Sequence, residues 1–450
     1  MMDRLHRFLK NLILLLPEGL AERFLRFAGR RRLVVLYIRR LRARLPMLKS
    51  MGRYRADDTV YYVEPGKIVY AMNSEGYYDG RKNPKDISNR EFDVYKYQGR
   101  IMGGDWDRLE RKFDELDFYR SYQERASHGT NWEQLPYYHR VLTQIEAGTE
   151  KWGCKSREDL DRRCQELDQL FDDIKRNGYK SQRSLLEREG KKGKLTSLWS
   201  DLDEISINVG RYGDLILNNG RHRLTMAKIA GIEKVPVKIT VRHAQWEMFK
   251  KEIEQYASKN GGRVYTALTH IDLQQIPVHY SEIRWQMIRD NIGEGNKNVL
   301  DIGAHWGYFC HKLEDAGFRC FAVEIDEENL HFLGKLRKAE KKEFAIITKS
   351  IFDLAREGPL KYDIVLALAI FHHFIKEQRT FEKLKFLLHG LDVNEMYFEP
   401  HLPDEPEMQG SYLNPSPQEF VDFIISNSCL NNYRLLGYCE EGKPLFKLWR

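Results

Sequence analysis

Apolar runs alternate with amphipathic segments throughout the C-terminal third of the sequence. Val299–Ile302 is predicted to be a buried strand that ends at Gly303, and a helix follows it from near Trp306 to Gly317. This alternation continues to the C-terminus, which is typical of a mostly parallel α/β sheet. The further predicted strands are Cys320–Val323, Phe344–Thr348, Tyr362–Ala369, Glu395–Phe398, Tyr433–Tyr438 and Pro444–Trp449.

A second block of strands lies earlier in the chain. Apolar residues alternate with polar ones over Ile205–Val209, and Leu215–Leu217 continues the strand pattern after a glycine turn. A helix over Arg223–Ala230 and a further strand over Val235–Val241 follow. The pattern predicts a small α+β domain.

The remaining segments differ in composition. The predicted organisation is a basic amphipathic helical segment over 1–55, a Tyr-rich irregular or strand region over 56–125, an α+β domain with a helical lead-in over 126–250, a helical connector over 251–295, and an α/β domain over 296–450.

The composition narrows the class of protein. The chain has 450 residues, of which 42% are hydrophobic and 31% charged, as in folded soluble proteins. No run approaches the 18 or so apolar residues of a spanning helix. The six cysteines include no CxxC pair, which argues against a zinc ribbon, a thioredoxin motif or a disulfide scaffold. We therefore expect a cytoplasmic protein with free thiols.

The net charge of +7 is unevenly distributed. Residues 1–55, which we call the basic head, hold 15 Lys and Arg against three acidic residues, a local net charge of +12. The head also contains apolar clusters, so it is expected either to lie on an anionic membrane at its inner face or to form a helical hairpin packed on the acidic remainder. Nucleic acid is an unlikely partner because the aromatic residues of the head lie within apolar clusters.

The turn after the first C-terminal strand indicates a ligand site. Gly303 and Gly307 flank the beginning of the helix, where glycine lets the backbone approach a ligand closely. The next strand ends at Glu324, and a carboxylate at that position can accept hydrogen bonds from both hydroxyls of a ribose.

Residues 296–450 resemble the class I S-adenosylmethionine-dependent methyltransferases. Asp301, Gly303 and Gly307 match the acidic-x-Gly-x-Gly-x-Gly motif, while His305 replaces its middle glycine. The resemblance implies a Rossmann-like, seven-stranded sheet closed by an antiparallel hairpin, with S-adenosylmethionine bound by these residues and Glu324. Ser350 stands where the family often has an acid that contacts the adenine.

Three histidines follow the ends of later strands in this domain. His372 and His373 come after the fourth strand and His401 after the fifth, at the edge where open α/β sheets bind ligands. A neutral imidazole suits the removal of a proton from a methyl acceptor. The histidines are also candidates for turn-shaping residues or for metal ligands with Glu399, although we predict no metal site.

A basic turn joins strand and helix in the middle of the chain. Backbone amides at a helix start bind anions, and arginines add bidentate phosphate contacts. The candidate phosphate or nucleotide ligands are Asn219, Gly220, Arg221, His222 and Arg223.

The stretch Ile205–Val241 resembles the ParB/sulfiredoxin-like nucleotide-binding fold, whose phosphate-binding turn is matched by Gly220, His222 and Arg223. Arg221 stands where sulfiredoxins have their catalytic cysteine, so that chemistry is excluded. The resemblance implies nucleotide hydrolysis, phosphoryl transfer or phosphate binding alone, with ATP or CTP and Mg²⁺ as ligands.

These features together predict an S-adenosylmethionine-dependent methyltransferase with a small-molecule or glycan acceptor and a second module for a nucleotide or phosphorylated ligand. Two alternatives stay open at this point: a phosphotransferase or nucleotide hydrolase with an associated methyltransferase, and a non-catalytic assembly protein at the membrane edge.

Overall fold

The structure is a computed structural model that describes residues 59–72, 92, 97–109, 112–151, 153–188, 204–280 and 282–450. The chain divides into two compact units, Met1–Phe249 and Lys250–Arg450. The basic head over 1–55 lies outside the described residues. Among those that are described, no helix combines the length and apolar character needed to cross a bilayer.

The N-terminal unit contains a mixed six-stranded sheet. Its strands are β1 (Tyr61–Val63), β2 (Ile68–Ala71), β3 (Arg100–Met102), β4 (Ile205–Val209), β5 (Leu215–Asn219) and β6 (Val235–His243). They are ordered β1-β6-β4-β5-β2, and β3 also pairs with β6. The helices are α1 (Asp117–His128), α2 (Pro136–Glu146), α3 (Arg157–Asn177), α4 (Gln182–Arg188) and α5 (Arg221–Ile229).

This sheet crosses the predicted boundary at residue 125. Strands β1 to β3 lie in the region predicted as Tyr-rich and irregular or stranded, and they pair with β5 and β6 of the predicted α+β domain. Short strands carry little periodic signal, and their partners lie more than 100 residues away. Residues 59–72 and 97–109 therefore belong to the same domain as β4 to β6.

The C-terminal unit contains a seven-stranded sheet. Its strands are β9 (Asn298–Ile302), β10 (Arg319–Val323), β11 (Ala345–Ile347), β12 (Leu360–Leu368), β13 (Leu391–Glu399), β14 (Asn432–Tyr438) and β15 (Pro444–Trp449). The order is β11-β10-β9-β12-β13-β15-β14. The first five strands are parallel, and β14 and β15 form an antiparallel hairpin at one edge. The predicted Rossmann-like sheet is confirmed.

Both faces of this sheet are covered, as its parallel strands require. Leu300, Val365 and Met396 point into one apolar cluster. Their neighbours Val299 and Leu366 point into the other. The covering helices are α8 (Tyr308–Asp315), α9 (Glu327–Ala339), α10 (Ile351–Glu357), α12 (Gln378–His389) and α13 (Pro417–Asn427), and a four-residue helix α11 (Phe371–Phe374) follows β12.

The segment between the two sheets is only partly the predicted helical connector. It contains helix α6 (Ala244–Lys259) and helix α7 (Ile283–Arg289), but also two three-residue strands, β7 (Val264–Thr266) and β8 (Val278–Tyr280). These strands pair with each other in parallel. The prediction of an all-helical connector over 251–295 therefore needs correction.

Candidate active site

A cavity of about 640 Å³ opens at the carboxyl ends of β9, β10 and β12. These strands are adjacent and parallel, so the turns that follow them meet at one edge of the sheet. The lining residues that the strands and their turns provide are Ile302, Gly303, His305, Val323, Glu324, Ile325, Leu368, Ala369 and Ile370.

The turn after β9 has an unusual backbone. Gly303, His305 and Gly307 all have positive φ, at 75°, 51° and 79°. A Cβ on Gly303 would lie 2.8 Å from Cδ1 of Ile370, which itself borders the cavity. Glycine is thus required at the cavity wall itself.

Gly307 has a different role from the one predicted. A Cβ there would clash with Cδ1 of Leu333 on helix α9, and Gly307 is not among the cavity-lining residues. This glycine permits close packing of the α8 start against α9 instead of contact with a ligand.

Glu324 is held firmly at the end of β10. Its Oε2 accepts a hydrogen bond from the amide of His305 at 2.9 Å, and its Oε1 accepts from the amides of Ile325 and Asp326 at 2.8 and 2.9 Å. The side chain is buried but borders the cavity. Oε1 already accepts two hydrogen bonds and Oε2 one, so Oε2 can accept one more, as from a ribose hydroxyl.

Asp301 lies behind the cavity and does not line it. Its side chain is fully buried, with Sγ of Cys310 at 3.5 Å from Oδ2. Burial raises the pKa of Asp301 to about 7, and the nearby Glu324 adds to the rise. The predicted direct contact with the cofactor is therefore not what the geometry shows.

Ser350 and His305 do border the cavity, as predicted. The hydroxyl of Ser350 caps helix α10 by accepting a hydrogen bond from the amide of Phe352 at 3.3 Å. The His305 ring stacks on Trp306 with centroids 5.2 Å apart. Burial lowers the pKa of His305 to about 4, so its imidazole is neutral at pH 7.

His372 and His373 also line the cavity. Both lie on helix α11, and their ring centroids are 3.9 Å apart. Nε2 of His372 lies 3.4 Å from Oε2 of Glu407, which also contacts Lys376 at 2.8 Å. Burial lowers the pKa of both histidines, and the charge of Lys376 lowers it further. The two imidazoles are therefore neutral at pH 7.

His401 is not brought to the cavity. It is buried, its Nε2 lies 2.9 Å from Oδ1 of Asn414, and it is absent from the cavity wall. Glu399, the partner suggested for a metal site, forms a buried ion pair with Arg284 at 3.0 Å instead. Neither residue is therefore available at this edge for a bound substrate.

The cavity wall includes residues that the sequence reasoning missed. Tyr265 and Tyr280 come from β7 and β8, and the guanidinium of Arg284 lies 4.1 Å from the ring centroid of Tyr280. The β-branched residues Val264 and Thr266 lie on either side of Tyr265, and Val278 begins β8. Because β-branched residues are typical of strands, they are the signal that could have predicted β7 and β8. The others are Asn329, Ile351, Phe352, Phe374, Thr380, Lys383, Glu407 and Lys443.

In the N-terminal unit, the basic turn begins helix α5, and Gly220 precedes the helix with φ 102°. The His222 ring packs on Phe118 with centroids 4.2 Å apart. Burial lowers the pKa of His222 to about 3, assisted by the charges of Arg221 and other arginines. His222 is thus a neutral packing residue, and the positive charge of the turn comes from its arginines.

A comparison with protein families identifies the kind of domain that surrounds the cavity. Residues 300–390 match the family model described as a methyltransferase domain. The chain contains a methyltransferase domain. S-adenosylmethionine is the cofactor that such a domain implies.

Two curated relatives each match part of the chain. The tRNA U34 carboxymethyltransferase of Helicobacter acinonychis (strain Sheeba) is 28% identical over 134 residues, which are 28% of this chain and 48% of that protein. The O-antigen chain terminator bifunctional methyltransferase/kinase WbdD of Escherichia coli is 25% identical over 146 residues, which are 31% of this chain and 19% of WbdD. The chain thus spans about half the length of the first relative and about a fifth of the second.

Solved structures that match part of the chain include monomeric WbdD, at 19% identity and a TM-score of 0.35, covering 43% of this chain and 48% of that one. A SAM-dependent methyltransferase from Archaeoglobus fulgidus has 16% identity and a TM-score of 0.30, covering 38% of this chain and 94% of that one.

Proposed function

We propose that the chain transfers a methyl group from S-adenosylmethionine to an oxygen of a small-molecule or glycan acceptor. The observation that carries this proposal is one cavity lined both by a firmly held carboxylate, Glu324, and by the neutral histidine pair His372–His373. Such an arrangement provides a cofactor anchor and a proton acceptor in the same enclosure.

The residues of the wall fit the cofactor. Glu324 borders the cavity with an acceptor position left on Oε2, and Gly303 keeps the adjacent backbone open where a Cβ would meet Ile370. We infer that Glu324 accepts a hydrogen bond from the ribose, that Gly303 and His305 border the cofactor, and that Ser350 lies near the base. When bound, S-adenosylmethionine supplies an electrophilic methyl group.

His373 is the candidate base for the acceptor. It is the more exposed of the two histidines, and its lowered pKa keeps it able to accept a proton at pH 7. His372 is buried and packs against His373, so its role is to position that ring. His401 contacts neither the cavity nor His373 and is left out of the mechanism.

The charge of the unit favours an acceptor other than a nucleic acid. Residues 250–450 hold 25 Lys and Arg against 30 Asp and Glu, a net charge of −5. A negative surface repels a polyanion, whose binding depends on many phosphate contacts. The relative WbdD is an O-antigen chain terminator, which supports a glycan acceptor here.

Replacement of Glu324 tests the proposal. Glu324→Ala should weaken the binding of S-adenosylmethionine about 10- to 150-fold, because hydrogen bonds to a charged group contribute about 1.5–3 kcal/mol. Isothermal titration of the full chain measures the dissociation constant. Glu327→Gln, an exposed change on helix α9, is the matched control and should bind normally. Unchanged affinity in Glu324→Ala would contradict the cofactor assignment.

His373 is tested separately, by transfer of a labelled methyl group. His373→Gln should lower the rate of transfer to a panel of hydroxylated small molecules and glycans, while the affinity for the cofactor stays constant. A loss of both rate and affinity would instead place His373 against the cofactor.

For the N-terminal unit we propose binding of a nucleotide or another phosphorylated ligand at the start of helix α5. Support comes from its charges: four arginines lie close enough to His222 to lower its pKa, namely Arg140, Arg163, Arg221 and Arg223. Amides at the helix start add further anion-binding groups. ATP or CTP with Mg²⁺ are the ligands that the ParB-like resemblance favours.

Titration with ATP and CTP, each with Mg²⁺, tests this second site. Arg223→Gln should raise the dissociation constant and reduce its dependence on salt, since a phosphate contact is lost. Arg176→Gln changes an exposed arginine on helix α3 and serves as the control. Equal nucleotide binding by Arg223→Gln and the unaltered chain would contradict the site, and hydrolysis of the nucleotide would favour the phosphotransferase alternative.

A further inference from the structure

Three metal-ligating side chains converge at one side of the cavity. His372, His373 and Glu407 each offer a ligand atom, and these atoms lie within 4.8 Å of one another. All three residues line the cavity. Among the described residues, no other group of three or more His, Cys, Asp or Glu side chains brings its ligand atoms this close together.

The local backbone explains this convergence. The short helix α11 begins directly after β12 and places two consecutive histidines at the carboxyl edge of the sheet. Glu407 lies in a 3-10 turn, Pro406–Met408, that follows β13, the neighbour of β12 in the sheet. Two adjacent strands therefore deliver the three side chains to one place.

The chemistry of the three groups suits a divalent transition metal. Imidazole nitrogen and carboxylate oxygen are the usual ligands of Zn²⁺ in sites that keep an open position, and they also suit Mn²⁺ and Fe²⁺.

The ammonium group of Lys376 would compete with a metal ion for the carboxylate of Glu407. Its Nζ lies 2.8 Å from Oε2 of Glu407, the same oxygen that faces His372. The lysine side chain is 29% exposed and flexible enough to turn toward solvent. A metal ion would thus replace the ammonium group as the partner of Glu407.

We propose that His372, His373 and Glu407 bind one divalent transition metal ion of the Zn²⁺ type, which coordinates the oxygen of the acceptor at the cavity. The position of the acceptor rests on the proposed methyl transfer. With the metal ion bound, His373 is a ligand and not the base: the ion lowers the pKa of the acceptor hydroxyl, whose proton passes to solvent water as the oxygen takes the methyl group from S-adenosylmethionine.

The test is titration of the chelator-treated full chain with Zn²⁺ and with Co²⁺, whose visible absorption reports its ligands. We expect one ion per chain and a Co²⁺ spectrum that is lost in the variants. His373→Gln and Glu407→Gln should weaken binding by at least about 10- to 100-fold, the loss seen even for partners outside the coordination shell. Lys376→Gln should strengthen binding, because the competing charge is removed.

His389→Gln is the matched control, since His389 is exposed on helix α12 and should leave binding unchanged. Glu407 is also partly exposed, so Glu407→Gln tests the site without disturbing the core. Absence of stoichiometric binding, or equal binding by the variants, would overturn the metal site. Titration of S-adenosylmethionine in the same samples separates the two proposals, because cofactor binding without metal binding leaves the proposed methyl transfer intact.

Discussion

The buried carboxyl group of Asp301, in strand β9 just before the turn at Gly303, affects the stability of the C-terminal unit. Burial raises its pKa from about 3.8 to about 7 in the folded protein. Between these two values the folded state binds more protons than the unfolded state, so the stability of this unit falls as the pH rises from about 4 to about 7. Above pH 7 Asp301 is ionised in the folded state too, and the full free-energy cost of its buried charge reduces the stability of the unit.

Asp301→Asn should remove this pH dependence and stabilise the C-terminal unit at pH 8 relative to the unaltered chain. Each pKa unit corresponds to about 1.4 kcal/mol, so an effect of a few kcal/mol is expected. Denaturant unfolding at several pH values measures it, and the shift caused by added S-adenosylmethionine identifies the transition of this unit. Parallel pH profiles of the two proteins would show that Asp301 is ionised throughout.

Cavity residues that belong to one continuous stretch of sequence were predicted most reliably. The turn with Gly303 and the carboxylate Glu324 depend on one continuous strand–helix–strand pattern, and both lie at the cavity. Gly307 and Asp301 belong to the same motif, but their roles depend on packing against Leu333 and Cys310, which no local pattern reveals.

At the scale of elements, the strands of the C-terminal parallel sheet were predictable, whereas β7 and β8 of the connector were not. Strands β9 and β12 form buried runs bounded by turns, and their predicted bounds agree with the structure to within two residues. β7 and β8 have three residues each and pair only with each other. Their side chains Tyr265 and Tyr280 were missed because helical segments on both sides dominate the pattern.

The buried pair of Arg284 on helix α7 and Glu399 at the end of β13 joins these short elements to the sheet. The guanidinium donates to Oε2 of Glu399 at 3.0 Å and lies over the ring of Tyr280. Both charged side chains are almost fully buried. Removing one partner leaves the other charge uncompensated, whereas removing both does not.

Arg284→Met should therefore destabilise the C-terminal unit by about 3–5 kcal/mol. The double change with Glu399→Leu should recover much of that loss. Thermal unfolding of the full chain measures both effects, with Arg289→Met, an exposed change on the same helix, as a nearly neutral control. A double variant no more stable than Arg284→Met would show that the stacking on Tyr280, not the ion pair, carries the stabilisation.

At the scale of the whole molecule, the sequence predicted the architecture of the C-terminal unit better than that of the N-terminal unit. A parallel sheet uses strands in regular alternation with helices, so its pattern is repeated along the chain. The sheet of the N-terminal unit pairs strands from residues 61–102 with strands from 205–243, and the helices between them separate the partners in sequence.

The basic head is the largest charged feature of the chain and lies outside the described residues. We predict that its net charge of +12 and its apolar clusters bind anionic membranes. Each arginine near an anionic surface contributes about 1 kcal/mol, so several together hold a protein there even with shallow insertion. Binding should weaken steeply with salt, because exposed charges are screened over about 8–10 Å at physiological ionic strength.

Co-sedimentation with anionic and with neutral vesicles tests this prediction on the full chain and on a chain that begins near Asp57. The full chain should sediment with anionic vesicles at low salt and the shortened chain should not, because only the former carries the cluster of arginines. Neutral vesicles control for insertion of the apolar residues alone. Equal sedimentation of the two chains would contradict the membrane role, and an insoluble shortened chain would favour a head packed as a helical hairpin whose removal exposes apolar surface.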